Sequence, residues 1–578
     1  MLKRDLVLTL LLSACVLAVA VWQCGLLEHG WSTPPPVGAG EDWDWQLTQI
    51  EVARRALLAG QFPGWNPFTQ GGQPLWANPE LSPLTVLLAI PLGTVPAMKA
   101  MVLLHLAVLC LGWALLARDL RISGVVAQLP ALFCLGSAFL AEFLMAAHIM
   151  FFAVAWLPLV WLSHRRGKPH FAGLFLALSL YAGGHYIVFY GALLLAAVGL
   201  VGVARSWRLR PLAVVLLANG LLFDLSAPWL KWVLAATVGW TLLPPLLCLA
   251  EGRRPRVDLR PLLLAAVALS IAALLAAPRW LPLYPLMDSI ERLQHGQIGA
   301  VADPWTLAGA YEHLVADSRP HHELPNSFYS PIPVLLAAAA VLFVAWKRPR
   351  LAVVTLLFWN FGWAGAGPMN LWEPLQALPG FDQLRTPERL ALLWTPLLGL
   401  CVAALVDATR KVHPLVTLAP SILVGIWLYE ALPAAKQTQR MGGQAHPEQR
   451  DGPFTQLAEC PDSNWAHVLR NEGCLNHGSA IALEPAAGLW EGPGAELVGV
   501  GFRVDGPGVL DQNFVPGWPG ESPEGLVEVD LPAGSLVQYR PPLLGWSALL
   551  FALGALSMVG VARATRRTDP HHRDDPTG

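Results

Sequence analysis

Asp42 and Asp44, in the run Glu41-Asp42-Trp43-Asp44-Trp45, are the side chains of this sequence best placed to do chemistry. A carboxylate can act as a general base, taking the proton of an acceptor hydroxyl as it attacks. A pair of carboxylates can equally hold a divalent cation, Mg or Mn, whose charge neutralises a phosphate. In an extended segment residues two apart project to one face, which predicts that Asp42 and Asp44 act together. The competing explanation is a solvated acidic turn, the usual fate of a D-x-D match. Position restores the chemical reading as an equal alternative, because the pair follows the first membrane-length apolar stretch and heads a long polar loop.

A second set of candidates lies far along the chain. Arg385 and Arg389, in Arg385-Thr386-Pro387-Glu388-Arg389, could grip a phosphate or pyrophosphate, since guanidinium groups bind such oxygens bidentately. Alternatively, Asp382 and Glu388 pair with these arginines. His148, Glu142 and His185 (in Tyr181-Ala182-Gly183-Gly184-His185-Tyr186) lie near the outer ends of apolar stretches and could line a substrate pocket. Helix–helix hydrogen bonding would account for them nearly as well. Asp224 and Lys231 flank a tight turn and suit an ion pair.

The segment 279–330 carries Asp288, Glu291, His313, His321, His322 and Glu323. Adjacent histidines diverge and no H-x-x-x-H spacing occurs, which argues against zinc. There is no Walker loop, no G-x-G-x-x-G after a strand and no G-x-S-x-G, so cytoplasmic nucleotide chemistry is not indicated. Nothing points to nucleic acid.

The elements that must position these residues are membrane helices. The sequence is 54% hydrophobic and 13% charged, with a mean hydropathy of +0.48. Soluble domains carry about 25% charged residues. Runs of roughly 17–25 apolar residues become helices in lipid, because only a helix satisfies its own backbone there. Expected spans are 6–27, 96–117, 124–141, 146–163, 171–184, 186–204, 211–226, 228–250, 261–278, 331–346, 351–367, 391–409, 414–433 and 543–562. The first is too long for a cleaved leader and lacks a small-x-small site, so it is expected to be retained.

Basic clusters recur between spans, from Lys3/Arg4 through Arg165/Arg166/Lys168 and Lys347/Arg348/Arg350 to Arg563/Arg566/Arg567. Placing all of them in the cytoplasm satisfies the positive-inside rule and puts both termini inside. The predicted fold is an α-helical polytopic membrane protein of about 12–14 spans, multi-pass in a cell membrane. Its core is 1–433, with outer loops 28–95, 279–330 and 368–390; residues 83–92, bounded by Pro83 and Pro91, suit a short interfacial helix. Tryptophans, 25 in all, suit interfacial belts and single out no site.

Residues 434–542 form a separate outer unit, rich in Gly, Pro and acids, with alternating runs at Glu496–Val504 and Gly525–Leu531 that predict a small β-rich domain. As a spacer or lid it needs no catalytic role of its own. Cys460 and Cys474 are its cysteines and, on an oxidising side, suit a disulfide; the other six suit core thiols. A final helix and cytoplasmic tail occupy 543–578.

Several of these segments carry a resemblance. Gly60-Gln61-Phe62-Pro63-Gly64-Trp65-Asn66-Pro67-Phe68, with Gly71-Gly72-Gln73-Pro74-Leu75 and Ala77-Asn78-Pro79, resembles the first outer loop of YfhO-like bacterial membrane proteins. The Pro379–Arg389 stretch resembles their P-G-F-x-x-x-R-x-P-x-R loop. Asn513-Phe514-Val515-Pro516-Gly517-Trp518 and Val529-Asp530-Leu531-Pro532-Ala533-Gly534 resemble their outer domain, although Pro519-Gly520 replaces a longer strand and turn. The resemblance spans about residues 40–560.

Such proteins are similar to GT-C glycosyltransferases, so the resemblance implies a GT-C-like core in the bacterial cytoplasmic (inner) membrane with its active site facing outward. It implies a polyprenyl-phosphate sugar as donor lipid, an envelope glycan, lipid or protein as acceptor, and a first-loop aspartate, Asp42 or Asp44, at the reaction centre. The expected reaction is transfer to a hydroxyl with inversion. The rival expectation is a transporter, flippase or non-catalytic scaffold for lipid-linked saccharides.

Overall fold

Apolar runs in this chain fold into helices that bury some faces on one another and leave others bare. The computed structural model describes residues 2–23, 30–33, 41–69, 72–122, 124–137, 149–203, 209, 212–213, 215–217, 258–286, 332–362, 371–378, 381, 384, 387–412, 422–426, 455–457, 468–470, 472–474, 495–498, 500–505, 507–513, 518–519 and 526–567. Its helices are α1 (Leu2–Gln23), α2 (Glu41–Leu58), α3 (Pro83–Leu92), α4 (Thr94–Asp119), α5 (Leu129–Leu135), α6 (Leu157–Arg165), α7 (Pro169–Tyr181) and α8 (His185–Val203). Further along come α9 (Arg260–Trp280), α10 (Ile332–Lys347), α11 (Pro349–Gly362), α12 (Ala391–Val412) and α13 (Leu544–Arg567).

Among the described residues, α4, α8, α9, α12 and α13 are long and apolar enough to cross a membrane. The apolar parts of α1, α5, α7 and α10, and the continuous Ile149–Arg165 segment, are shorter. Expected spans at 96–117, 171–184, 186–204, 261–278, 331–346, 391–409 and 543–562 each fall on a helix. The 146–163 span opens instead as a 3-10 helix, Ile149–Trp156, and those at 211–226, 228–250 and 414–433 lie largely outside the described residues.

Bare apolar faces mark where lipid belongs. Helix α13 exposes Trp546, Leu549, Leu553 and Leu556, and α1 exposes Leu6, Val7, Leu10 and Leu11. A water-soluble surface rarely gathers this much apolar area, whereas lipid tails cover it without cost. Where helices do meet, small residues allow close approach. A Cβ at Gly554 of α13 would lie 2.9 Å from the Leu274 Cβ of α9, and one at Gly173 of α7 would lie 2.6 Å from the Ala268 carbonyl. Cys110, Cys134 and Cys401 are buried as expected of core thiols. Cys15 is a correction: it is exposed, one turn from Leu11 on the bare face of α1.

The first outer segment corrects a larger expectation. Residues 41–58 are not extended but form α2, with Trp43, Leu47, Ile50 and Ala53 buried at helical spacing. Two positions apart on a helix are about 200° apart around its axis, so the backbone does not aim Asp42 and Asp44 the same way. The helix is pinned from below by Glu51, which is buried, pairs with Arg54 (3.2 Å) and Arg55 (3.1 Å), and accepts a hydrogen bond from Thr94. Residues 83–92 form the short helix expected, begun by Ser82, whose Oγ accepts the Thr85 N–H at 3.2 Å.

Strands β1 (Trp65–Asn66) and β2 (Gln73–Pro74) pair in the first loop, and short strands follow the predicted pattern near the C-terminus, beginning with β3 (Thr455–Leu457) and β4 (Glu472–Cys474). Strands β5 (Ala495–Val498) and β6 (Gly501–Val504) form an antiparallel hairpin, and β9 (Leu536–Val537) pairs with β6 on its other edge. Strands β7 (Gly508–Asn513) and β8 (Leu526–Val529) form a second antiparallel pair. Thr455–Leu457 and Glu472–Cys474 pair in parallel. Cys460 and the side chain of Cys474 lie outside the described residues, and so does the disulfide expected of them.

The strands of this unit, expected to lie outside the membrane, pack against the 60–78 loop. Trp65, fully buried, packs its ring 5.0 Å from those of Trp518 and Tyr539, and its Nε1 donates to Gln512 Oε1 at 2.9 Å. Burial pushes the Tyr539 phenol above its ordinary pKa. Gly72 (φ +96°) is required at this contact, because a Cβ would sit 2.4 Å from Gln512 Oε1. The Val500 N–H donates to Gln61 Oε1 at 2.8 Å, a second tie between first loop and outer unit. Trp65→Ala empties the centre of this cluster, and such large-to-small changes cost about 3–5 kcal/mol. The expected result is selective proteolysis of the 60–78 loop and the outer unit, with the membrane helices still protected; wild-type resistance would show that the contact is dispensable.

Candidate functional site

One buried cation ties the 76–81 loop to the end of α9. Arg279, in the last turn of α9, is 3% exposed and donates to the carbonyls of Trp76, Asn78 (2.7 Å) and Leu81 (2.8 Å). Its guanidinium also lies over the Trp76 ring at 5.2 Å, and the Trp76 Nε1 donates back to the Pro278 carbonyl at 2.6 Å. Among the described residues no carboxylate pairs with it. Arg279 therefore serves as a clamp that folds residues 76–81 over the end of α9.

The clamped segment presents Glu80. One carboxylate oxygen of Glu80 accepts the Trp45 Nε1 proton of α2 at 3.0 Å, which fixes the acidic first turn of that helix against the loop. The backbone of Glu80 lies on the turn between α7 and α8. There Gly183 (φ +85°) leaves no space for a side chain: a Cβ would meet the Glu80 carbonyl at 2.7 Å. Gly184 is equally confined, with a Cβ position 2.4 Å from that of Ala153. The Gly183-Gly184 pair is thus what lets the first loop, the 149–156 turn and α8 converge.

Two residues singled out from the sequence meet at this convergence. His185 opens α8, its Nδ1 lies 3.4 Å from the Gly183 carbonyl, and its ring packs 4.3 Å from that of Tyr186. Arg389, in the Pro387–Leu390 3-10 helix, places its guanidinium over Phe151 at 4.9 Å and over Tyr186 at 5.1 Å. The two rings adjoin each other, their centroids 5.5 Å apart, and both make a cation–π contact with it. Among the described residues no acceptor is hydrogen-bonded to its N–H groups, so the edge of the fork is available to an oxyanion.

Between Glu80 and the 149–156 turn lies a small closed cavity, lined by Gln46, Ile50, Glu80, Ser82, Met98 and Met150 among others. Gln46 is 3% exposed and, among the described residues, its Nε2 has no hydrogen-bond partner. On the same helix the Thr48 hydroxyl and both amide atoms of Gln49 are likewise buried without partners among the described residues. Native interiors leave few polar atoms unpaired, so this stretch of α2 has hydrogen-bonding capacity left over among the described residues.

Of the other candidates, Asp44 is half-buried at the start of α2, while the side chain of Asp42 lies outside the described residues. So do Arg385, His148 and Glu142, together with Asp224, Lys231 and all of 287–330. Among the described residues no three His, Cys, Asp or Glu side chains gather as metal ligands. Glu80 and Arg279 are absent from the sequence expectations. Arg279 had one signal to offer, as an arginine at the end of the 261–278 span that is expected to face outward, against the positive-inside trend. Glu80 had none, since a loop carboxylate acquires meaning only once Trp45 is placed beside it.

No protein-family model, curated protein or solved structure matches this chain.

Proposed function

We propose that the protein is a membrane glycosyltransferase, GT-C-like and of the YfhO-like kind, with about 12–14 spans. It moves a sugar from a polyprenyl-phosphate donor to an acceptor hydroxyl outside a bacterial cytoplasmic membrane. The observation that carries the reading is Arg389. A guanidinium resting against the Phe151 and Tyr186 rings, with no acceptor hydrogen-bonded to it among the described residues, is suited to a phosphate arriving from the lipid. It lies at the same end of the bundle as the acidic turn of α2, tied there through Trp45 and Glu80.

In this scheme the acceptor O–H gives its proton to Asp42 or Asp44 as its oxygen attacks the anomeric carbon. The bond from that carbon to the phosphate oxygen breaks, and its electron pair leaves with the polyprenyl phosphate. Arg389 neutralises the charge that develops there, with Arg385 as its neighbour in sequence. A single displacement of this kind inverts the anomeric centre. His185 and the unpaired α2 amides supply hydrogen bonds for the sugar hydroxyls. If a divalent cation, Mg or Mn, takes part, Asp42 or Asp44 would supply it a carboxylate oxygen, and its charge would help neutralise the donor phosphate.

Arg389→Gln tests the phosphate role. Loss of one positioned stabiliser of developing charge costs about 10²–10³ in kcat. The expected outcome in proteoliposomes is that drop with unchanged protein yield. Transfer at the wild-type rate would remove Arg389 from the site.

A further inference from the structure

We propose a second site at the arginine-rich end of the bundle, opposite the candidate active site, that binds the phosphate headgroup of an anionic membrane phospholipid. A cavity of about 840 Å³ opens between the ends of α4, α6, α8, α9, α10 and α11. Seven Lys and Arg side chains line it against two carboxylates, Asp119 and Asp258. Asp119 is already committed, accepting from Arg165 at 2.9 Å and Arg166 at 3.0 Å. Arg348 is committed to the Leu120 carbonyl at 2.7 Å. Arg121, Lys347 and Arg350 are exposed and, among the described residues, make no hydrogen bond or ion pair.

The positive-inside trend alone would spread these charges through water along the membrane surface. Here they ring a cavity whose inner wall is apolar, formed by Trp161, Val198, Val201, Leu264 and Val354 of the helices. Helices α9 and α11 also begin in that wall, at Arg260-Pro261 and Pro349-Arg350, and helix starts carry partial positive charge. A cationic mouth over an apolar wall matches a phosphate that carries acyl chains better than a free phosphate. In the orientation with these clusters inside, the site faces the leaflet richest in anionic lipid.

The test is lipid retention by the full chain in nanodiscs of phosphatidylglycerol and phosphatidylcholine, followed by native mass spectrometry. Each surface cation contributes about a fivefold change in lipid affinity. Wild type should retain phosphatidylglycerol selectively, and Arg121→Gln/Lys347→Gln/Arg350→Gln should bind it about a hundredfold more weakly. Melting in phosphatidylcholine nanodiscs should be the same for both. If the triple variant fails to fold, Arg350→Gln alone should show the fivefold loss. Equal retention of phosphatidylglycerol by variant and wild type, or equal retention of the two lipids by wild type, overturns the proposal. Inorganic pyrophosphate raising the melting temperature in detergent, with no lipid retained, overturns it in favour of a soluble phosphate ligand.

Discussion

Arg279→Ala is expected to destabilise the folded protein by at least about 4 kcal/mol, with loss of transfer activity in whatever protein still folds. The guanidinium donates to three backbone carbonyls, those of Trp76, Asn78 and Leu81, within the protein interior. A hydrogen bond to a charged group contributes about 1.5–3 kcal/mol, and a buried carbonyl left without a donor costs about 1–3 kcal/mol. Truncation also removes the surface on which Trp76 stacks. Arg279→Lys should fall between wild type and alanine, because an ammonium keeps the charge but cannot reach three diverging carbonyls with a planar fork. Thermal unfolding in one detergent, read against size-exclusion profiles, measures both. Wild-type melting of Arg279→Ala would show that the loop is held by other means.

The link from that clamp to activity runs through Glu80 and Trp45. If residues 76–81 slip, the Trp45 donor loses its acceptor and the start of α2 is no longer fixed over the site. Arg279 is therefore a positioning residue. A readout that distinguishes this from general instability is the effect below the melting transition, where kcat should fall while donor binding by Arg389 is retained.

The second large effect is expected from Asp42→Ala/Asp44→Ala. A positioned general base contributes about 10²–10⁴ to rate, so the double variant should lose transfer to that extent. Protein yield and melting should change little, since the packing of α2 rests on Trp43, Leu47 and Ile50. The single variants then assign the base. Because α2 turns the two positions about 200° apart, one of them should account for nearly the whole loss. Equal losses from both singles would contradict the helical geometry of the site and restore a paired arrangement, as metal ligands would have.

Much of the membrane architecture was legible because hydropathy runs and helix ends share a cause. Pro169, His185 and Arg260 stand where the apolar runs of α7, α8 and α9 begin, and the helices begin there too. The hairpin β5–β6 followed from alternation over Glu496–Val504 in the same way. Helix α2 was misread because Asp42 and Asp44, and Trp43 and Trp45, alternate with a period of two. Only the longer spacing of Trp43, Leu47, Ile50 and Ala53 carries the helical period.

The site was legible in part. Arg389 and His185 were recognisable as polar groups at span ends, and the fold sets both against the Tyr186 ring. What could not be read was the long-range docking. Trp65 and Gln512 are separated by 447 residues, and no local pattern connects them. Arg279 and Glu80 belong to the same class: each has a role only through backbone carbonyls or an indole from another part of the chain.

The central claim is sugar transfer from a lipid phosphate at the outer face, and the most direct measurement is that transfer itself. Purified wild-type protein in proteoliposomes would be given a panel of radiolabelled polyprenyl-phosphate sugars with acceptor-containing envelope extract. The anomeric configuration of the product would be determined, and Asp42→Ala/Asp44→Ala would be run in parallel. The account predicts transfer from at least one donor by the wild type alone, with inversion. Transfer by both proteins would place the base elsewhere. No transfer from any donor, alongside protein that moves labelled lipid between leaflets, would contradict the account and leave a flippase.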